Sequence, residues 1–477
     1  MSNVTCYYTS TMAQKKTPGM GENDMTPTER RATFSLAGIY ALRMLGLFLI
    51  LPVFSLYATD HLTGATPMLI GLAIGAYGLS QAVLQIPFGM LSDRFGRKPI
   101  IIIGLLLFAL GSVVAALSDT IWGVIIGRLL QGSGAIAAAV MALAADLTRE
   151  EQRTKAMAVI GTTIGLSFAL ALVAGPLLNS WIGVPGIFWL TALLALGGIV
   201  VLKLGVPHHV DSRFHRDAEA MPSKFAEVFS NAQLMRLNFG ILALHAMLMA
   251  SFVALPLALR GPAELPSEHH WWVYLPVMLV AIAVMVPFVI VAEKRRRMKQ
   301  VFVGAIVLLG LSELGLIAAY ESVAGITVAL LLFFTAFNIL EATLPSLISK
   351  VAPADSKGTA MGIYSTSQFI GAFIGGGVGG WLLGAYGLAA VFGFCALMAA
   401  TWVLVAVGMP SPRYLRNQMV NVGTISAERA YELASRFKKV PGVVEAVVVA
   451  EEGVAYLKVD SALLDEAALR EFSAVKA

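Results

Sequence analysis

The chain has 477 residues, 57% of them hydrophobic and only 13% charged, with a formal net charge of +5 and a mean hydropathy of +0.77. A soluble protein carries roughly twice that charged fraction, which excludes a wholly soluble enzyme, and the basic excess reads as membrane topology rather than nucleic-acid binding. The two cysteines, Cys6 in a polar tail and Cys395 in the last apolar segment, argue against a disulfide framework or a cysteine-based metal site. Residues 1–31 are polar and lack an apolar run ahead of a small-residue cleavage site, so they read as a tail and not a secretory signal. From Ala32 to Gly408, about twelve runs are long enough to cross a bilayer. They cover residues 32–58, 68–91, 99–117, 120–144, 155–178, 184–204, 234–258, 270–292, 300–320, 323–348, 358–384 and 386–408.

Residues 32–204 and 234–408 then form two six-span halves. Residues 205–233 form a polar linker, with a short surface helix near Phe225–Phe229. His208, His209 and His215 in that linker have no fixed ligand spacing and read as a solvated loop, not a metal site. After Pro410-Ser411-Pro412 the composition becomes that of a soluble domain, residues 413–477. Tyr414–Val422 reads as a strand, and Ser426 caps a helix to about Lys438. Val443–Ala450 and Val454–Val459 read as a hairpin, and Leu463–Phe472 as a helix. The order β-α-β-β-α points to a small α+β, ferredoxin-like domain.

Charge position orients the spans. Arg94, Arg97, Lys98, Arg149, Arg153, Lys155, Lys203, Arg213, Arg216, Lys224, Arg236, Lys294–Arg297, Lys299, Lys350 and Lys357 fall in or beside loops on one face. The opposite loops hold only Arg260. Positive charge collects on the cytoplasmic side, so both termini are expected there.

One feature occurs twice, 200 residues apart. Pro87-Phe88-Gly89-Met90-Leu91-Ser92-Asp93-Arg94-Phe95-Gly96-Arg97-Lys98 ends the second apolar segment, and Pro287–Met298 ends the eighth. Asp93 corresponds to Glu293, Arg94 to Lys294 and Arg97 to Arg297. Repeats on this scale build transporters whose substrate site lies between two pseudo-symmetric halves.

Ionisable groups at membrane depth are functional candidates by default. Arg43, Arg128, Glu313 and Glu341 lie well inside spans. A buried guanidinium can hold an anion or a carboxylate, or be satisfied structurally by backbone carbonyls. Asn338 and Glu341 share one helix face, and a carboxyl there can carry a proton. Segment nine belongs at the periphery of such a fold, which ranks Glu313 below Glu341. His245 lies midway along segment seven, and Gln85, Gln131 and Gln368 are weaker polar candidates. Gly71 and Gly75, like Gly371, Gly375 and Gly379, recur at the four-residue spacing that lets helix backbones approach closely in lipid. No G-x-x-x-x-G-K-[ST] occurs, so there is no P-loop and energy comes from a gradient or from the substrate's own.

Gly89–Lys98 matches the G-x-x-x-D-R-x-G-R-[RK] loop signature, and the chain resembles the major facilitator superfamily. Arg128-Leu129-Leu130-Gln131-Gly132-Ser133-Gly134 resembles the R-x-x-Q-G-x-G motif of its proton-coupled members. Gly165 with Gly175-Pro176 resembles part of the motif of its drug:proton antiporters. The resemblance implies an all-α polytopic membrane protein, twelve transmembrane helices in two six-helix bundles, carrying the C-terminal domain. It implies a cytoplasmic latch of Gly89, Asp93, Arg94, Gly96, Arg97, Asp146 and Glu293, with Asp93 facing the start of helix eleven near Ser356–Thr359 and Arg97 meeting Asp146. Arg43, Arg128, Gln131, His245, Asn338, Glu341 and Glu313 would form a proton and substrate pathway. The soluble domain resembles heavy-metal-associated domains in strand order but has no cysteine, so their metal function does not carry over.

The expected function is proton-coupled efflux of a small lipophilic compound across the cell inner membrane, by a non-enzyme without cofactor or metal. The expected partners are the substrate, protons and membrane lipid, with no nucleic acid, and the chain is expected to be a monomer. A proton-coupled importer or facilitator of a polar metabolite, and a non-transporting membrane sensor that signals through the C-terminal domain, are the alternatives.

Overall fold

The computed structural model describes residues 24–207, 222–353, 356–411 and 415–472, except 424, 451–452, 461–462, 466–467 and 470–471. Most of the N-terminal tail, the three linker histidines and much of the expected helix Leu463–Phe472 lie outside these residues.

The first half holds α1 (Pro27–Phe48), α2 (Phe54–His61), α3 (Pro67–Phe95), α4 (Arg97–Ala116), α5 (Ile121–Ser133), α6 (Ala137–Asp146) and α7 (Glu150–Leu204). After the short α8 (Phe225–Ser230), the second half holds α9 (Ala232–Arg260), α10 (Trp271–Lys294), α11 (Met298–Ala319), α12 (Val323–Val351), α13 (Lys357–Tyr386) and α14 (Leu388–Val407). Ten described helical runs are long and apolar enough to cross a membrane. The difference from the expected twelve has two physical causes. Helix α1, which carries the start of segment one, has Glu29, Arg30 and Arg31 close to its N-terminus, and the segment is broken between α1 and α2 at 49–53, around Pro52, which cannot donate to a helical ladder. Segments five and six are joined in α7, where Gly183 interrupts the helix at φ +66° and ψ 173°. Segment four is also divided, at Gly134–Ile136. The start of α1 lies inside the expected tail. Thr26 caps it in a capping box with Glu29, a pattern written in Thr26-Pro27-Thr28-Glu29.

Glycines set the closest helix packing. A Cβ on Gly375 would stand 2.0 Å from the Ala246 carbonyl of α9, within the second half. One on Gly71 would stand 2.1 Å from the Gly376 carbonyl of α13, across the two halves. So α13 is pressed between α9 and α3, as small-residue stripes allow in lipid. At the end of the molecule opposite the termini, the halves are also joined by the Asp60–Arg260 ion pair and by Ser55 donating to the Phe252 carbonyl at 3.3 Å.

At the basic face, cations cap helix ends whose carbonyls have no intrahelical partner. Arg31 donates to Leu204 and Gly205 at the end of α7. Arg236 donates to Gly408 after α14, and Lys98 to Val206.

The soluble domain packs α15 (Ala427–Phe437) on an antiparallel sheet of β1 (Arg416–Asn421), β2 (Val443–Val449) and β3 (Val454–Val459) in the order β1-β3-β2. Helix and strands fall within a residue or two of their expected bounds, and the sheet is consistent with a ferredoxin-like domain. The central strand β3 is buried on both faces. Ala455, Leu457 and Val459 enter the domain core. On the other face, Lys458 donates to the Lys350 carbonyl at the end of α12 at 3.1 Å. From β1, the Met419 sulfur accepts from Arg153 of α7 at 3.7 Å. The domain therefore touches both halves at the basic face.

Candidate functional site

The first half buries two guanidiniums. Arg43 and Arg128 are each 1% exposed. Arg43 donates to the Tyr77 hydroxyl at 2.5 Å, to Gln81 at 2.7 Å and to the Gly134 carbonyl at 3.1 Å, in the break between α5 and α6. Its Nε and Nη1 are buried without a hydrogen-bond partner among the described residues. Arg128 donates to Gln131 at 2.7 Å and to the Ala73 carbonyl at 3.4 Å, and Gln131 donates to Ser112 at 2.7 Å. Both guanidiniums lie within 5.7 Å of the Tyr77 ring centre. The ring face offsets part of the cost of a cation away from water. Gln85 is buried on the same helix as Tyr77 and Gln81.

The second half holds carboxyls. Asn338 and Glu341 lie on the α12 stripe that also carries Phe334 and Phe337. Both rings reach Phe168 of α7, with centroids at 5.9 and 5.8 Å. That stripe is the seam between the halves, and Glu341 sits one turn from its aromatic layer toward the basic face. Asn338 Nδ2, Glu341 Oε2 and the hydroxyls of Tyr364 and Thr366 find no hydrogen-bond partner among the described residues. His245 of α9 contacts the Ile241 carbonyl through Nδ1 at 3.3 Å and Gln368 of α13 through Nε2 at 2.7 Å. Both contacts are satisfied when Nδ1 carries the proton and Nε2 accepts from the amide. Phe337 packs beside that ring at 5.9 Å.

Glu313 lies on α11, the ninth segment, with its side chain turned inward. It is 0% exposed and accepts from Ser251 of α9 at 3.1 Å. Its other oxygen has no partner among the described residues. Its face of α11 turns inward because a carboxyl facing hydrocarbon is costly, and a serine on the next helix gives it a donor. The structure thus brings Arg43, Arg128 and Gln131 together in one half. It brings His245, Asn338 and Glu341 onto inner helices of the other, and leaves Glu313 apart.

The first corner is a closed network. Arg97 is 4% exposed and bonds Asp93, Ser92 at 2.9 Å and Asp146 at 3.3 Å. Among the described residues the Asp93 carboxylate is paired with Arg97 and not with the start of α13, so its expected contact near Ser356–Thr359 is not made here. Arg97, one turn along, holds the charge instead, and among the described residues the buried Ser356 hydroxyl has no partner. Arg94 is exposed over the Phe95 ring, Gly89 faces Ala138, and Gly96 makes the turn at φ +91°. In the second corner, Glu293 reaches another helix and accepts from Ser346 at 2.7 Å and from Lys350 at 2.7 and 2.8 Å.

Sequence reasoning passed over Tyr77, Gln81, Ser112 and Ser251, which satisfy the buried charges. Glu29 was also missed. Its carboxylate accepts from the Arg149 backbone and guanidinium at 2.9 to 3.1 Å and from the Thr26 backbone at 2.8 Å. The capping-box pattern was the signal that could have found it.

The family model described as Major Facilitator Superfamily matches residues 36–376 and 265–424. The inner membrane transport protein YajR of Escherichia coli is 49% identical over 443 residues, covering 93% of this chain and 97% of its own. The uncharacterized transporter BU466 of Buchnera aphidicola is 36% identical over 348 residues, 73% of this chain and 89% of its own. Among solved structures, a point mutant of the nucleoside transporter NupG superposes with a TM-score of 0.63 at 13% identity, covering 79% of this chain and 98% of its own. That last likeness speaks for the fold alone. With its apolar helices and paired corners, the chain is a multi-pass membrane protein that belongs to the Major Facilitator Superfamily of transporters.

Proposed function

We propose that the chain is a secondary active transporter of the inner membrane that exports a small lipophilic compound as protons enter. The observation that carries this reading is the place of Glu341. It lies on the helix stripe that meets the other half, beside the aromatic layer, and one oxygen is out of water without a partner among the described residues. A carboxyl so placed can take up and release a proton as the seam opens to either side, while the rings of Phe168, Phe334 and Phe337 offer lipophilic cargo an apolar surface.

Two further features support alternating access through twelve spans. A straight helix as long as α7 would measure about 80 Å, well over twice the hydrocarbon thickness, so its break at Gly183 divides it into two spans. With α1–α2 and α5–α6 each counted as one, the total is twelve and both termini share the basic, cytoplasmic face. The halves meet through Asp60–Arg260 and the Gly71–Gly376 approach on the far side. The corner of Gly89, Asp93, Arg94, Gly96, Arg97 and Asp146 is then the latch whose partner surface changes as the cytoplasmic side opens and closes.

The test is extrusion of a panel of lipophilic compounds from proteoliposomes with an imposed proton gradient. We expect proton-dependent extrusion of at least one compound, and loss of the proton dependence in Glu341→Gln. Extrusion that stays proton-coupled in that variant removes Glu341 from the role, and uptake in place of extrusion reverses the direction.

A further inference from the structure

A cavity of about 410 Å³ lies where the soluble domain meets the second half. Its size is within the range of small-molecule sites, about 300–1,000 Å³. It opens between the basic-face ends of α9, α11, α12 and α14 and the hairpin of β2 and β3. Its walls are largely apolar, with Phe302 and Leu347 from the helices and Val444 from β2. Its charges are the ammoniums of Lys299, Lys350 and Lys458 against the one carboxylate of Glu445.

Lys458 is 5% exposed although it carries a charge. Its pair with Glu445 is long, 3.6 Å. Burial pulls its pKa below the ordinary lysine value, and Glu445 only partly restores it. Gln233 also lines the cavity, although its amide oxygen is turned away from water. A desolvated ammonium favours a second anion. The helices lining the cavity start or end here, at the basic face.

We propose that this cavity binds an amphiphile with a phosphate head and an apolar body, and that the bound molecule fastens the soluble domain to the second half. The head meets Lys299 and Lys458, and the apolar body lies against Phe302 and Val444. Because Lys350 also holds Glu293 of the second corner, occupancy reports directly to that corner. Two sources can supply this chemistry, an anionic lipid of the facing leaflet or a soluble phosphate monoester.

The experiment uses the full chain in nanodiscs, with bound mass read by native mass spectrometry and unfolding by a thermal scan. One arm compares phosphatidylglycerol with phosphatidylcholine discs. The other titrates octyl phosphate, and octyl glucoside as the neutral match, into phosphatidylcholine discs. We expect saturable binding and a raised unfolding temperature with at least one phosphate probe. Lys299→Ala should weaken it about threefold to tenfold, and Val444→Glu by more than about tenfold. Val444→Leu keeps the apolar wall and should retain binding, which separates loss of the site from loss of the fold. Phosphatidylglycerol alone identifies the lipid source, and octyl phosphate alone the soluble one. Equal binding of octyl glucoside, undiminished binding in Val444→Glu, or retention of neither phosphate probe overturns the proposal.

Discussion

The two halves share a plan and bury opposite chemistry. The first encloses Arg43 and Arg128, and the second encloses Glu313 and carries Glu341 on the seam. Their corners differ in the same sense. Arg97 is drawn inside the first and held by two carboxylates and a serine. Its counterpart Arg297 is exposed, and Glu293 turns instead to Lys350, whose backbone carbonyl accepts from the soluble domain. A repeated scaffold therefore does not require repeated function. The first half encloses cations, and the second sets carboxyls and the contact with the soluble domain on the same repeated plan.

The sharpest break of this contrast is Arg43→Met. Among the described residues Arg43 has no carboxylate beside it and two nitrogens without partners, so removing it relieves a desolvated charge while three hydrogen bonds are lost. Those costs oppose each other. We expect transport in proteoliposomes to fall more than about tenfold while stability changes by less than about 2 kcal/mol. A loss of about 3–5 kcal/mol, the scale of a broken buried ion pair, would make the buried cation structural and not functional.

Glycine contacts separate the halves from the seam. Gly375→Ala forces a Cβ into the Ala246 carbonyl inside one half and should lower stability by about 1–3 kcal/mol. Gly71→Ala meets Gly376 across the seam, so its strain is relieved when the halves part on that side. It should shift spin-label distances across the far side toward the open form with little loss of stability. Equal destabilisation by both would mean the seam packs like a core.

At the entry to the first half, Glu29 ties α1 to the start of α7. Burial alone would raise its carboxyl pKa. Hydrogen bonds from Arg149 and the Thr26 backbone outweigh burial and hold the pKa below the ordinary value. The tie is fully present above the unfolded-state pKa and is lost as pH falls through the lower folded value. Glu29→Gln should cost about 1–3 kcal/mol near neutrality and flatten the acid limb of a pH–stability curve. An unchanged acid limb would exclude the tie.

Apolar length, charge asymmetry and the paired corners made the membrane class and the two-half plan legible, because each is written in consecutive residues. The hairpin and helix of the soluble domain were legible for the same reason. Breaks at 49–53 and 134–136 were not, since an apolar run looks continuous whether or not its backbone is. Nor was the burial of Glu313, which depends on a serine 62 positions away on another helix. The partner of Asp93 depends on which conformation the halves adopt, and a sequence does not state that.

The smallest effect tests the corners themselves. Gly96 and Arg296 occupy equivalent positions of the repeat, and both have positive φ, +91° and +54°. Gly96 combines its φ with ψ 147°, a region close to glycine-only, so Gly96→Ala should cost about 1–3 kcal/mol and loosen the grip on Arg97. Arg296 stands in the left-handed region that an L side chain enters at about 1 kcal/mol. Arg296→Gly relieves that strain and should gain no more than about 1 kcal/mol, less whatever the arginine side chain contributes. If thermal scans show opposite signs for the two substitutions, the turn is common to both corners and only the side chains have diverged. If Arg296→Gly is instead as damaging as Gly96→Ala, the arginine holds the second corner, and the two corners are equally built.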